Sequence, residues 1–147
     1  MASDPRILFL DDDPRRASAF LEQHPGAVWV STAEQCLARL IEPWDEVHLD
    51  HDLGGELFVD HERDDCGMAV VRWICREPRA HLQATRFFVH TRNANAACMM
   101  VLHLQAMGFD VQARPFEDVV PAPMAPDAGP PLGRRLIRWL QALAHRS

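Results

Sequence analysis

Short apolar runs alternate along the chain with segments whose apolar positions recur every three or four residues. The runs at 7–10, 28–30, 47–50, 87–90 and 110–113 read as strands. After the first, Asp13 is placed to cap a helix and Pro14 to open it, and Ala17, Phe20 and Leu21 fall at helical spacing until Pro25-Gly26. Thr32 can cap a second helix in which Cys36, Leu37, Leu40 and Ile41 share a face up to Pro43. A third begins near Gly67 and turns Val70, Val71 and Ile74 inward; a fourth spans 96–107, with Gly108 as its natural C-cap. This βαβαβαβαβ order predicts an α/β protein: a parallel sheet with helices on both faces.

Beyond the fifth strand the pattern lapses. Residues 117–131 carry five prolines and read as an irregular linker. Helical period returns at 132–146, where Leu132, Leu136, Ile137, Leu140 and Leu143 form one stripe. Its bland reading, a last helix docked on the sheet, is favoured over a membrane-binding or partner-binding one. The 147 residues therefore suit one domain, with a core at 6–116.

The net charge of −6 argues against general nucleic-acid binding. The charge is uneven, with nine acids and one arginine between Pro43 and Gly67. All fifteen basic residues are arginine, so chemistry that needs a lysine amine is excluded. Four cysteines without a CxxC pair suggest free thiols in a reducing cytoplasm. No apolar run reaches the length of a membrane span.

The polar residues that end the strands carry the candidate chemistry. In a parallel sheet all strand C-termini reach one edge, where ligands bind. That edge collects Asp11 and Asp12 after strand one, Asp50 and Asp52 after strand three, Thr91 after strand four and Arg114 after strand five. Carboxylates converging in this way form a hard oxygen site suited to Mg²⁺ or Mn²⁺. His51 and His90 flank it and could act as general acid and base. Arg16 could pair with the acids or bind phosphate. A zinc hydrolase is set aside, because zinc prefers nitrogen and sulfur donors to a cluster of acids.

The runs ILFLDDDP, VHLD, FFVHT and ARPF resemble, in order and spacing, the receiver domains of two-component signalling. The resemblance implies a flavodoxin-like sheet of order 2-1-3-4-5, a metal on Asp11 and Asp12, a phosphoacceptor at Asp50, a switch at Thr91 and a phosphate contact at Arg114. Arg114 replaces that family's lysine, and the loop between Asp50 and Gly67 is longer than usual. LFLDD with Arg16, LDHDLG, Gly67 with Trp73, and HTRN are more closely similar to the cyclic-phosphate-processing receivers. That similarity implies site roles for His51, Asp52, His90 and Asn93.

Two functions follow as expectations. The first is a metal-dependent site that acts on or senses a cyclic phosphate, on a small molecule or a nucleotide end. Asp50, His51, His90 and Arg114 would be its catalytic residues, and Arg16, Thr91 and Asn93 its phosphate contacts. The metal would sit on Asp11, Asp12, Asp50 and Asp52. The alternative is a phosphoacceptor served by a histidine kinase, or a degenerate receiver that only binds a partner protein.

Overall fold

A computed structural model describes residues 2–116; the linker expected at 117–131 and the helix at 132–146 lie outside them. Five parallel strands form one sheet of order β2-β1-β3-β4-β5: β1 Ile7–Leu10, β2 Val28–Val30, β3 Glu46–Leu49, β4 Arg86–Val89 and β5 Asp110–Ala113. Helices α1 Pro14–Gln23, α2 Ala33–Arg39, α3 Gly67–Cys75 and α4 Ala94–Ala106 make the crossovers. This is the flavodoxin-like arrangement anticipated from the alternation.

Side-chain parity divides the core between the two faces. Leu8, Leu10, Val47, Leu49, Phe87 and Val89 pack with residues of α2, α3 and α4 such as Cys36, Val71 and Met100. Ile7 and Phe9 pack with Ala17 and Phe20 of α1, and the Phe9 and Phe20 rings stack at 4.1 Å. His48, buried on that face, stacks on Phe88 at 4.6 Å and meets Phe20 edge-on at 4.9 Å. It is a packing residue, as its alternation with Leu49 suggests.

Helix starts follow the local chemistry. The Asp13 carboxylate accepts the Arg15 amide at 2.8 Å and Pro14 follows, whereas Thr32 Oγ1 accepts the Gln35 amide at 3.1 Å. The second helix ends sooner than its apolar spacing implies. Leu40 is buried as its C-cap, but Ile41 is 69% exposed. Trp44 takes the space instead, and its Nε1–H donates to the Arg39 carbonyl at 2.9 Å. Pro43 disfavours helix in the residue before it, which ends any continuation.

The register sets up the site. Leu10 pairs with Leu49, Leu49 with Val89 and Val89 with Ala113, so the next residues, Asp11, Asp50, His90 and Arg114, form one row past the ladder. All four amides of that row continue the pattern, from Asp11 to Val30 O, Asp50 to Leu10 O, His90 to Leu49 O and Arg114 to Val89 O.

Candidate functional site

Residues two apart on a strand share a face, so Asp11, Asp50 and His90 follow Phe9, His48 and Phe88 onto the α1 side of the sheet. Asp11, Asp12 and Asp50 each offer an oxygen, all within 4.8 Å of one another. Asp11 is fully buried and Asp50 nearly so. Burial, followed by the neighbouring Asp11 charge, pushes the Asp50 carboxyl up to about 7, with Arg16 opposing. Asp11 is likewise raised by burial against the pull of Arg16.

Arg16, in the first turn of α1, supplies the counter-charge. Its Nε and one terminal nitrogen each bond Asp11 at 2.8 Å, and that nitrogen also reaches Asp50 at 3.2 Å and Asp12 at 3.5 Å. The fork shape suits guanidinium to this duty. The same grouping of hard oxygen donors fits a divalent cation, which would relieve the same repulsion. The Trp29 indole N–H, from the edge strand, donates to the Asp11 carbonyl at 2.8 Å and pins the backbone of this acid.

Asp52 stands outside the three-carboxylate group. Its oxygens accept the amides of Phe58 at 2.9 Å and Val59 at 3.0 Å, with Asn93 Nδ2 at 3.4 Å. His51 is fully buried behind it: Nε2–H donates to the Val59 carbonyl at 2.9 Å, and Nδ1 accepts the Met68 amide at 3.2 Å. Both ring nitrogens are therefore engaged by backbone, Nε2 as donor and Nδ1 as acceptor. Asn93 caps α4 by accepting the Ala96 amide at 3.1 Å, and Thr91 Oγ1 accepts the Asn93 amide at 3.2 Å. Arg114 turns sideways: its guanidinium lies 5.1 Å over the Phe88 ring, and Nε donates to Gln112 at 3.0 Å.

His90 differs from His51. It is buried against Phe9 at 5.2 Å and Phe116 at 6.1 Å, and its Nε2 has no hydrogen-bond partner. Burial, and then the nearby His48, hold its pKa well below the ordinary value, so it is neutral at pH 7. His90 lines a cleft of about 430 Å³ together with Asp12, Arg16, Asp50, Asp52 and Thr91. The chemistry-bearing residues expected at one edge thus meet in one cleft, except His51, Asn93 and Arg114, which do not line it, and Asp11, which is buried beneath it.

The cleft also includes residues that strand-end reasoning missed: Gly55, Glu56 and Leu57 from the loop after β3, and Phe116 after β5. The loop is fastened to the acids, for Asp12 accepts the Gly55 amide at 2.6 Å. Two large apolar residues, Leu57 and Phe58, inside an otherwise acidic segment were the available signal.

One pH dependence follows from Asp50. Its folded pKa of about 7 exceeds the ordinary carboxyl value of 3.8, so the folded state holds a proton that the unfolded state releases. The stability conferred by that proton is present below about pH 4 and lost as pH rises through 7. Without divalent cation, Asp50→Asn is expected to melt above the wild type at pH 8, with the gap shrinking by pH 5. A gap that widens toward acid pH in calorimetric melts would contradict this.

A five-stranded 2-1-3-4-5 sheet with an acidic cluster at its carboxyl edge defines the receiver class. Among solved structures the chain is similar to the Francisella response regulator 1452 receiver domain, at 12% identity and TM-score 0.54 over 97% of this chain and 98% of that one. It is also similar to the non-phosphorylated receiver domain of the Escherichia coli stress response regulator RcsB (14%, 0.54, 81% and 86%) and to the Mn²⁺-bound form of response regulator Rcp1 (14%, 0.54, 84% and 100%). No curated protein sequence matches it. The model of the cyclic-phosphate processing receiver domain matches residues 6–106, and the chain belongs to that family. Among the described residues, no helix is long and apolar enough to cross a membrane.

Proposed function

We propose that the cleft binds a cyclic phosphate ester beside a divalent cation, Mg²⁺ or Mn²⁺, and opens the ring by adding water. The observation that carries this reading is His90: a buried, neutral imidazole whose Nε2 has no hydrogen-bond partner, in a residue that lines the cleft together with Asp50 and Arg16. A phosphoacceptor has no need of such a base. The description of the family as cyclic-phosphate processing supports the same assignment.

Asp11, Asp12 and Asp50 would hold the cation, which supplies Lewis acidity to the phosphate. Arg16 donates guanidinium N–H bonds to the non-bridging oxygens, and the Thr91 hydroxyl fixes a third contact. His90 Nε2 accepts a proton from the attacking water as its oxygen bonds to phosphorus. One ester P–O bond breaks, and the departing alkoxide receives that proton, so the sum is addition of one water. His51, with both nitrogens on backbone, positions the loop through Val59 and Met68. Asp52 acts with it, and Arg114 supports the Phe88 wall.

The test is incubation with Mn²⁺ and 2′,3′-cyclic nucleotides, followed by chromatography of the products. Turnover is expected in the wild type. His90→Gln should lose at least ~100-fold in rate, the usual worth of a general base, while Mn²⁺ binding stays intact. A stable, Asp50-dependent phosphoryl adduct from acetyl phosphate, without cyclic-nucleotide turnover, would replace this reading with a phosphoacceptor supplied by a histidine kinase.

A further inference from the structure

Leu57 and Phe58 are 80% and 77% exposed, more than any other large apolar residue among those described. Isolated exposed apolar residues are ordinary, but this pair is held in place. On one side the Gly55 amide is bonded to Asp12 at 2.6 Å. On the other, the Phe58 and Val59 amides are bonded to Asp52, and the Val59 carbonyl accepts from His51. Val59 is itself buried and anchors the segment in the core. Phe58 has φ +53°, a left-handed conformation that non-glycine residues rarely adopt. A loop that served only to solvate its acids would have no cause to fix two apolar side chains outward from such a backbone.

The position of Leu57 gives it a use; Phe58 adjoins it in the chain and does not itself line the cleft. Leu57 lines the cleft whose polar floor is Arg16, Asp50, His90 and Thr91, and Phe116 is a second apolar residue of its lining. The volume, about 430 Å³, falls in the range of small-molecule sites and exceeds what a bare phosphoryl group fills. The cleft is thus divided by chemistry, with charge where a phosphate would lie and hydrocarbon beside it.

We infer that Leu57, with Phe58 beside it, forms a subsite for the organic part of the ligand, the ribose and base of a nucleotide-type phosphate. This deepens the phosphate-ester reading above and rests on it. An aromatic or planar group lying on Leu57 and Phe58 is withdrawn from water along with them, and the held backbone means little ordering is paid on binding. The pair therefore sets which phosphate esters bind, while the acids and Arg16 set that a phosphate binds at all.

The experiment measures, by calorimetry with Mn²⁺ present, the affinity of adenosine 2′,3′-cyclic phosphate and of inorganic phosphate. The proteins are the wild type, Leu57→Ser, and the Leu57→Ser/Phe58→Ser pair. Both side chains are exposed, so the variants should keep the wild-type circular dichroism and melting temperature. The double variant is expected to lose about tenfold or more in affinity for the nucleotide, the scale of one buried leucine, with phosphate affinity within about twofold of wild type. An unchanged nucleotide affinity, or an equal loss for both ligands, overturns the subsite while leaving the phosphate site standing. Failure of the wild type to bind either ligand overturns the phosphate-ester reading and the subsite with it.

Discussion

Gly67→Ala is expected to lower stability by ~3 kcal/mol or more and the melting temperature by roughly 10 °C. Gly67 opens α3 directly behind the acid cluster, and its amide donates to the His51 carbonyl at 3.0 Å. A Cβ there would lie 2.0 Å from the Asp50 carbonyl oxygen and 2.8 Å from His51 Cα. Those are backbone atoms of the β3 exit, and the Asp50 amide is tied to Leu10, so no rotamer change relieves the clash. Either α3 shifts outward or Asp50 moves off its row. Both disturb the acids, so Mn²⁺ binding should fall along with stability. Gly26→Ala is the control, since nothing lies within 4 Å of a Cβ at that position. Equal melting of the two variants would show that the β3–α3 junction yields more easily than its geometry implies.

Arg16→Met removes the counter-charge and keeps much of the side-chain bulk. Asp11, with a side chain 0% exposed, then faces Asp12 and Asp50 without a cation. Breaking a buried ion pair costs ~3–5 kcal/mol. Arg16 is 31% exposed and protonation of the acids offers an escape, so a loss of ~2–3 kcal/mol at pH 8 is the expectation, shrinking toward pH 5. Mn²⁺ should then stabilise the variant more than the wild type, because in the wild type a cation must displace the guanidinium from Asp11 and Asp50. At a concentration one hundred times its dissociation constant, a ligand adds ~2.7 kcal/mol, enough to restore most of the loss. Equal Mn²⁺-induced shifts in the two proteins would mean that Arg16 and the metal do not compete.

The row Asp11, Asp50, His90 was legible in the sequence because strand parity and parallel pairing leave little freedom. Once 7–10, 47–50 and 87–90 are strands, the residues ending them must meet. β3 and β4 each begin and end one residue earlier than the apolar runs suggest, which leaves Asp50 and His90 just outside the ladder and able to aim at a ligand. The α2 boundary was less legible, because Ile41 has helical spacing and only Trp44, packed from beyond Pro43, displaces it. What lay beyond sequence reasoning is whatever the loop after β3 decides. His51 and Asp52 carry the residue types of an active site, yet in the structure their polar atoms bond backbone amides and a carbonyl of that loop and of α3. Arg114 is similar: a residue after β5 reaches either the acids or Phe88, and only packing decides between them.

The indole hydrogen bond from Trp29 to the Asp11 carbonyl has a practical consequence. The ring is 39% exposed, at the edge of the sheet, and is joined to the backbone of the most buried acid. Trp44, by contrast, is buried and bonded to the end of α2. The chain thus carries its own fluorophore at the carboxylates. Emission from Trp29, isolated by replacing the other tryptophans with phenylalanine, can follow occupancy of the acids in real time without an added dye.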